Sequence, residues 1–252
     1  PPLAVGSQKS IYERALYFIS FPFDVNLGEV FGFGQYGTHW IIEYYDGLTR
    51  AKNGFWIDSP PNWKYIMPSE ASSYVLRANV GYILCLDLEE MKADNFSFWS
   101  NGISTVELFF PSTTTSLGTI TEVTDITIPA LTSEYQCTIN RTGEDGDRRV
   151  KDSYWRCIGT PSLNLYNTAV KDGSGNTVAW TTDYNWETNP NTLPFIYRWN
   201  MSDNTITPQA TSSFEFLPMH SYLVQNGNEI HWKNVSAPAS GVSRRENDYQ
   251  QI

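Results

Sequence analysis

Trp180, Tyr184 and Trp186 stand close together in a polar stretch, beside Asp183 and Glu187. Aromatic faces flanked by short polar groups are how sugars are recognised, through dispersion on their C–H faces and hydrogen bonds to their hydroxyls. Trp56 and Trp63, next to Phe55, occupy a comparable stretch earlier in the chain. These rings are the ligand-binding candidates. The competing expectation is that they fold back and cap the ends of a β structure, as rings on long loops often do.

A second set of chemistry-bearing residues is Glu144, Asp145 and Asp147, followed by Asp152 in a glycine-containing loop. Hard oxygen ligands on such a loop are what calcium takes, so Ca2+ is the one ion with candidates. The spacing does not follow the EF-hand pattern, and Arg148, Arg149 and Lys151 lie alongside, which favours a solvated charged loop. The histidines His39, His220 and His231 are set in strand-like surroundings with no GxSxG, HExxH or Cys-His signature. Glycosidase-type carboxylate pairs need a separation of ~5–10 Å that sequence does not supply. No catalytic residue and no cofactor is therefore expected, and the chain reads as a non-enzyme. Cys85, Cys137 and Cys157 lack zinc-type spacing and read as buried thiols, with a Cys137–Cys157 bridge as the open alternative.

The elements that must position these groups read as β throughout. Aromatics form 15% of the 252 residues, and Ser, Thr and Asn dominate the polar positions, a profile suited to pleated, half-buried surfaces. A net charge of −10 and a pI near 4.7 argue against nucleic acid and anionic membranes as partners. No apolar stretch reaches the roughly 18–20 residues of a spanning helix, so no membrane insertion is expected. The opening Pro1-Pro2-Leu3 carries no Met and no leader pattern, as in an excised or mature piece of a longer protein.

The run Leu16-Tyr17-Phe18-Ile19-Ser20-Phe21-Pro22-Phe23-Asp24-Val25 predicts a buried anchor strand, and Trp155-Arg156-Cys157-Ile158-Gly159-Thr160-Pro161 a second one. Residues 39–45 predict a strand turning at Asp46-Gly47 into a hairpin partner at 48–52. Residues 53–68 predict a packed loop or short edge pieces, 81–86 a strand, and 87–92 a helical turn. Further strands are expected at 105–110, 119–128 and 135–139, then a long loop over 164–194. A hairpin at 195–199 and 205–207 follows, with strands at 214–216, 221–224 and 229–232, the last two joined by an Asn226-Gly227 turn.

Two halves share an order of landmarks: anchor strand, aromatic hairpin with an Asx-containing turn (Ile42 to Asp46 beside Ile196 to Asn200), then Gly81-Tyr82-Ile83-Leu84 beside Ser221-Tyr222-Leu223-Val224. This predicts an internal duplication, with a first β unit over 1–118 and a second over 119–252. The residues Ile19 to Val25, Val30-Phe31-Gly32, Gly81 to Leu86 and the exit Ser243-Arg244-Arg245-Glu246 resemble β modules in large secreted and outer-surface proteins of Bacteroidetes. Those modules pair an "ISxPxxV…IFG" strand with a later "GYxLxL" strand. The expectation is an antiparallel β-sandwich, jelly-roll-like or Ig-like, of two related units packed together. As the resemblance implies, it would be a non-catalytic extracellular or cell-surface module with a structural or adhesive role. Its partners would then be other domains of the same or neighbouring surface proteins. The alternative is a carbohydrate-binding module that takes glycans on its loop aromatics.

Overall fold

A computed structural model describes residues 14–54, 62–93, 107–113, 125–138, 152–159, 166–171, 177–178, 195–200, 205–209, 215–216, 219–225, 227 and 229–234. In chain order the first elements are β1 (Arg14–Ser20), β2 (Val25–Asn26), β3 (Phe31–Gly32), β4 (Trp40–Tyr45), α1 (Gly47–Asn53), β5 (Trp63–Tyr65) and α2 (Pro68–Ala71). They continue with β6 (Val75–Leu76), β7 (Gly81–Asp87), α3 (Leu88–Ala93), β8 (Leu108–Phe109), β9 (Asp125–Ile128) and β10 (Trp155–Gly159). The last are β11 (Tyr166–Lys171), β12 (Thr177–Val178), β13 (Phe195–Asn200), β14 (Thr205–Gln209), β15 (Glu215–Phe216), β16 (Ser221–Gln225) and β17 (Ile230–Asn234). The fold is all-β: among the described residues it is mostly strands in antiparallel sheets, with few and short helices.

One sheet runs β1-β7-β4-β5, a second β10-β16-β13-β14 and a third β12-β11-β17-β9 with β15 beside β11; β2–β6 and β3–β8 form two ribbons. β7 reads Gly-Tyr-Ile-Leu-Cys-Leu-Asp without apolar–polar alternation, and all seven residues are buried. A strand of this composition suits a central place covered on both faces, and β7 lies between β1 and β4. On one face, Ile19, Tyr82, Leu84, Leu86, Trp40 and Ile42 pack with Phe21, Val25, Leu76 and Met91. On the other, Phe18, Ile41, Ile83 and Cys85 form a smaller cluster. Each buried side chain of this size contributes roughly 1.5–3 kcal/mol.

The first two sheets follow the same course. In each, an anchor strand pairs with a tyrosine-bearing strand, which pairs with an aromatic strand, which pairs with a short edge strand. The registers also correspond: Ile19 faces Tyr82 as Ile158 faces Tyr222, and Ile42 faces Leu84 as Ile196 faces Val224.

Several expectations are corrected. Residues 48–52 are no hairpin strand but part of helix α1, because Asp46 serves as its N-cap and Gly54, at φ 72°, ends it. The hairpin partner of β4 is β5 instead. Residues 135–138 are not strand: a 3-10 turn at Ser133–Tyr135 leads into irregular chain held by loop contacts, with the Cys137 N–H on Ser153 Oγ at 2.7 Å. The stretch 164–194 is not all loop, since β11 and β12 pair within it, Val170 opposite Val178. The strands on either side of Asn226-Gly227 do not pair as the expected hairpin. β16 pairs with β10 and β13, whereas β17 pairs with β11 and β9 in another sheet. The strand expected at 105–110 is shorter, since β8 covers Leu108–Phe109 and the described neighbours Glu107 and Phe110 are not strand; of that at 119–128, β9 covers 125–128 and 119–124 lie outside the described residues.

Candidate functional site

Trp63 is the one ring candidate that falls among the described residues. Trp56, Trp180, Asp183, Tyr184, Trp186 and Glu187 lie outside them, as do the calcium candidates Glu144, Asp145 and Asp147. Trp63 sits on edge strand β5, half-buried, with its ring 5.5 Å from Phe18 and edge-to-face on Tyr45 at 4.9 Å and 71°. It packs against two clusters at once: that of Phe18 and Ile83 in the first sheet, and that of Trp155, Cys157 and Leu223 in the second.

Beside Trp63 lies a polar centre inside this joint. Arg50, in the last turn of α1, donates from Nε to Asp152 Oδ1 at 3.1 Å and from Nη1 to Tyr45 Oη at 2.8 Å. Its guanidinium carbon stands 4.3 Å from the Trp155 ring centroid, a cation–π placement. Asp152 is fully buried, and its Oδ2 has no hydrogen-bond partner. Burial pushes the Tyr45 hydroxyl pKa up, so that group stays protonated. Gly47 permits the approach: a Cβ there would stand 2.0 Å from the Trp155 carbonyl oxygen. A buried arginine–aspartate pair next to a protonated phenol braces two elements.

Asp46, Asp24, Asp87 and His39 serve the scaffold in the same way. Asp46 Oδ1 accepts the Thr49 N–H at 2.9 Å, and its Oδ2 pairs with Lys64. Burial raises the Asp46 pKa, but the bonds from Lys64 and Thr49 outweigh it and leave the carboxyl below its usual range. Asp24 accepts the Ala78 N–H at 2.8 Å and pairs with Arg77 at 2.7 Å, and that backbone bond first, then Arg77, lowers its pKa. Asp87 Oδ1 caps α3 by accepting the N–H groups of Glu89 and Glu90, both at 3.1 Å. His39 is buried, and its Nδ1 accepts the Gln35 N–H at 2.8 Å, so the ring is fixed in the turn before β4. Among the described residues no group of three His, Cys, Asp or Glu side chains could hold a metal ion.

No family model, curated protein or solved structure matches this chain.

The cysteines are free and buried, so Cys137 and Cys157 do not pair. Burial pushes the Cys157 thiol up to about 12. One surface feature escaped sequence reasoning. Phe31 and Phe109, 61% and 48% exposed, stack at 5.1 Å and 11° across the β3–β8 ribbon. The signal was the Phe31-Gly32-Phe33-Gly34 stretch. Gly32 at φ 123° lets β3 run so close to Glu107 that a Cβ would meet its carbonyl oxygen at 2.4 Å.

Proposed function

We propose that the chain is a non-catalytic β module of two related units, a sandwich serving a structural or adhesive role within a larger extracellular or cell-surface protein. The observation that carries the reading is the use made of buried charge. His39, Asp87 and Asp152, the buried imidazole and carboxylates among the described residues, are each committed to a turn, a helix cap or a cross-sheet brace. A general acid or base drawn from these three would have to be released from that role toward a cleft. The shared strand order and register of the first two sheets support the two related units, over 1–118 and 119–252.

The exposed Phe31–Phe109 pair favours one second reading, a glycan-binding module, since exposed rings are what sugar C–H faces stack on. A glycan array probed with the purified chain separates the two. The structural reading expects no glycan retained. A glycan that is retained by the wild type, and lost by Phe31→Ala/Phe109→Ala or Trp180→Ala/Trp186→Ala at unchanged melting temperature, establishes the second reading and retires the first.

A further inference from the structure

The backbone contacts between the first two sheets come in matched pairs. The Ser20 N–H donates to the Met219 carbonyl at 2.9 Å, and the Gly159 N–H donates to the Asn79 carbonyl at 2.9 Å. Isolated bridges join Ile19 to His220 and Val80 to Ile158. By the register correspondence above, Ser20 stands where Gly159 does, Ile19 where Ile158 does, and Asn79 and Val80 where Met219 and His220 do. Each bond therefore has its counterpart with the halves exchanged. Asn79 and Met219 even share a left-handed backbone, at φ 64° and 60°. The clusters beside the joint stand at corresponding positions too, Leu16, Phe18 and Ile83 on one sheet and Trp155, Cys157 and Leu223 on the other, and Trp63 packs against both. Reciprocal contact between equivalent residues is the signature of an isologous, two-fold interface, here within one chain.

Equivalent residues that touch across such an axis should be alike, yet two are not. Ser20 meets Gly159, and Ser221 meets Gly81. A Cβ at Gly159 would stand 2.2 Å from Ser20 Cβ, and one at Gly81 would stand 2.5 Å from Ser221 Cβ and 2.4 Å from Cys157 Sγ. Neither glycine is held in the left-handed region, so backbone conformation does not demand them. Pairing two first halves would set serine against serine at the first position. Pairing two second halves would do so at the other. Only unlike halves fit. Both serines also hydrogen-bond across the joint, Ser20 Oγ to the His220 carbonyl at 2.8 Å and Ser221 Oγ to the Tyr82 carbonyl at 3.1 Å.

We infer that the joint is a self-complementary dimer surface enclosed within one chain, and that the reciprocal Ser20/Gly159 and Gly81/Ser221 exchange restricts each half to the unlike half as its partner. Steric exclusion of the like pairing is how specificity is set when the two surfaces are otherwise the same. The inference rests on the two halves being related.

Full-length variants test it by thermal unfolding. Gly159→Ser lowers the melting temperature, and Ser20→Gly added to it restores more than half of that loss, because the exchange rebuilds a serine–glycine contact with the roles reversed. Some loss persists, since the Val80 carbonyl oxygen lies 2.9 Å from the added Cβ. If Gly159→Ser does not accumulate as folded protein, the recovery is read as soluble, folded yield of the double variant. No loss in the single variant, or no recovery in the double, overturns the inference. The relatedness of the halves is read separately: Met219→Asn raises the melting temperature and Asn79→Met lowers it, because Asn tolerates the left-handed conformation that Met does not. If that pair fails, the equivalence of the halves fails. If it holds and the serine–glycine exchange fails, the restriction alone is wrong.

Discussion

Arg50 and Asp152 lie 102 residues apart in sequence and meet where the first two sheets join. Removing one partner of a buried pair leaves a charge that nothing compensates, so Arg50→Ala is expected to cost about 3–5 kcal/mol. Replacing both, as Arg50→Met/Asp152→Leu, should cost less than the single change, and a denaturant-unfolding double-mutant cycle measures the difference. The surface carboxylates give a different test. Asp24 and Asp46 have lowered pKa values in the folded state, so the stability they add is present above the ordinary carboxylate range and is lost as pH falls through their folded values. Melts recorded from neutral to acid pH should fall less steeply for Asp24→Asn/Asp46→Asn than for the wild type. At the thiols, an aromatic disulfide reagent should label none of Cys85, Cys137 and Cys157 in the native protein and all of them once it is unfolded, since all are buried.

Among the elements, those legible in the sequence were the ones whose pattern had a single physical outlet. The runs at Leu16–Phe21 and Gly81–Leu86 are too apolar to face water on either side, and they became β1 and the all-buried β7. Asp46-Gly47 had two outlets. Both hairpin turns and helix N-termini favour Asp before Gly, and the helix-forming residues that follow, with Gly54 to end them, settled it as a cap. Asp46→Ala should accordingly cost about 0.5–2 kcal/mol for the cap, together with its Lys64 contact. Asn226-Gly227 misled for another reason: a turn signal reports that the chain reverses locally, not which sheet the next strand joins. Of the candidate site, Trp63 was legible as a ring and its packing role was not, because its partners Phe18, Tyr45 and Trp155 are brought together only by long-range pairing. Trp63→Ala should cost about 3 kcal/mol, toward the lower end for a ring that is half-buried.

For the molecule as a whole, the joint ties the two four-stranded sheets by backbone bonds, a buried ion pair and a shared tryptophan. Tryptophan fluorescence and far-ultraviolet circular dichroism should therefore report one coincident thermal transition rather than two. Arg50→Ala, which weakens the joint specifically, is the variant in which the two signals should part.

β1 finds its principal neighbour, β7, only after some sixty intervening residues, and β10 waits as long for β16. While the chain is being made, each greasy ribbon must stay exposed until its far partner emerges. Newly synthesised molecules thus pass through a sticky, unpaired interval twice, and slow closure of such distant pairings is the step at which this protein is most open to aggregation and most in need of a chaperone.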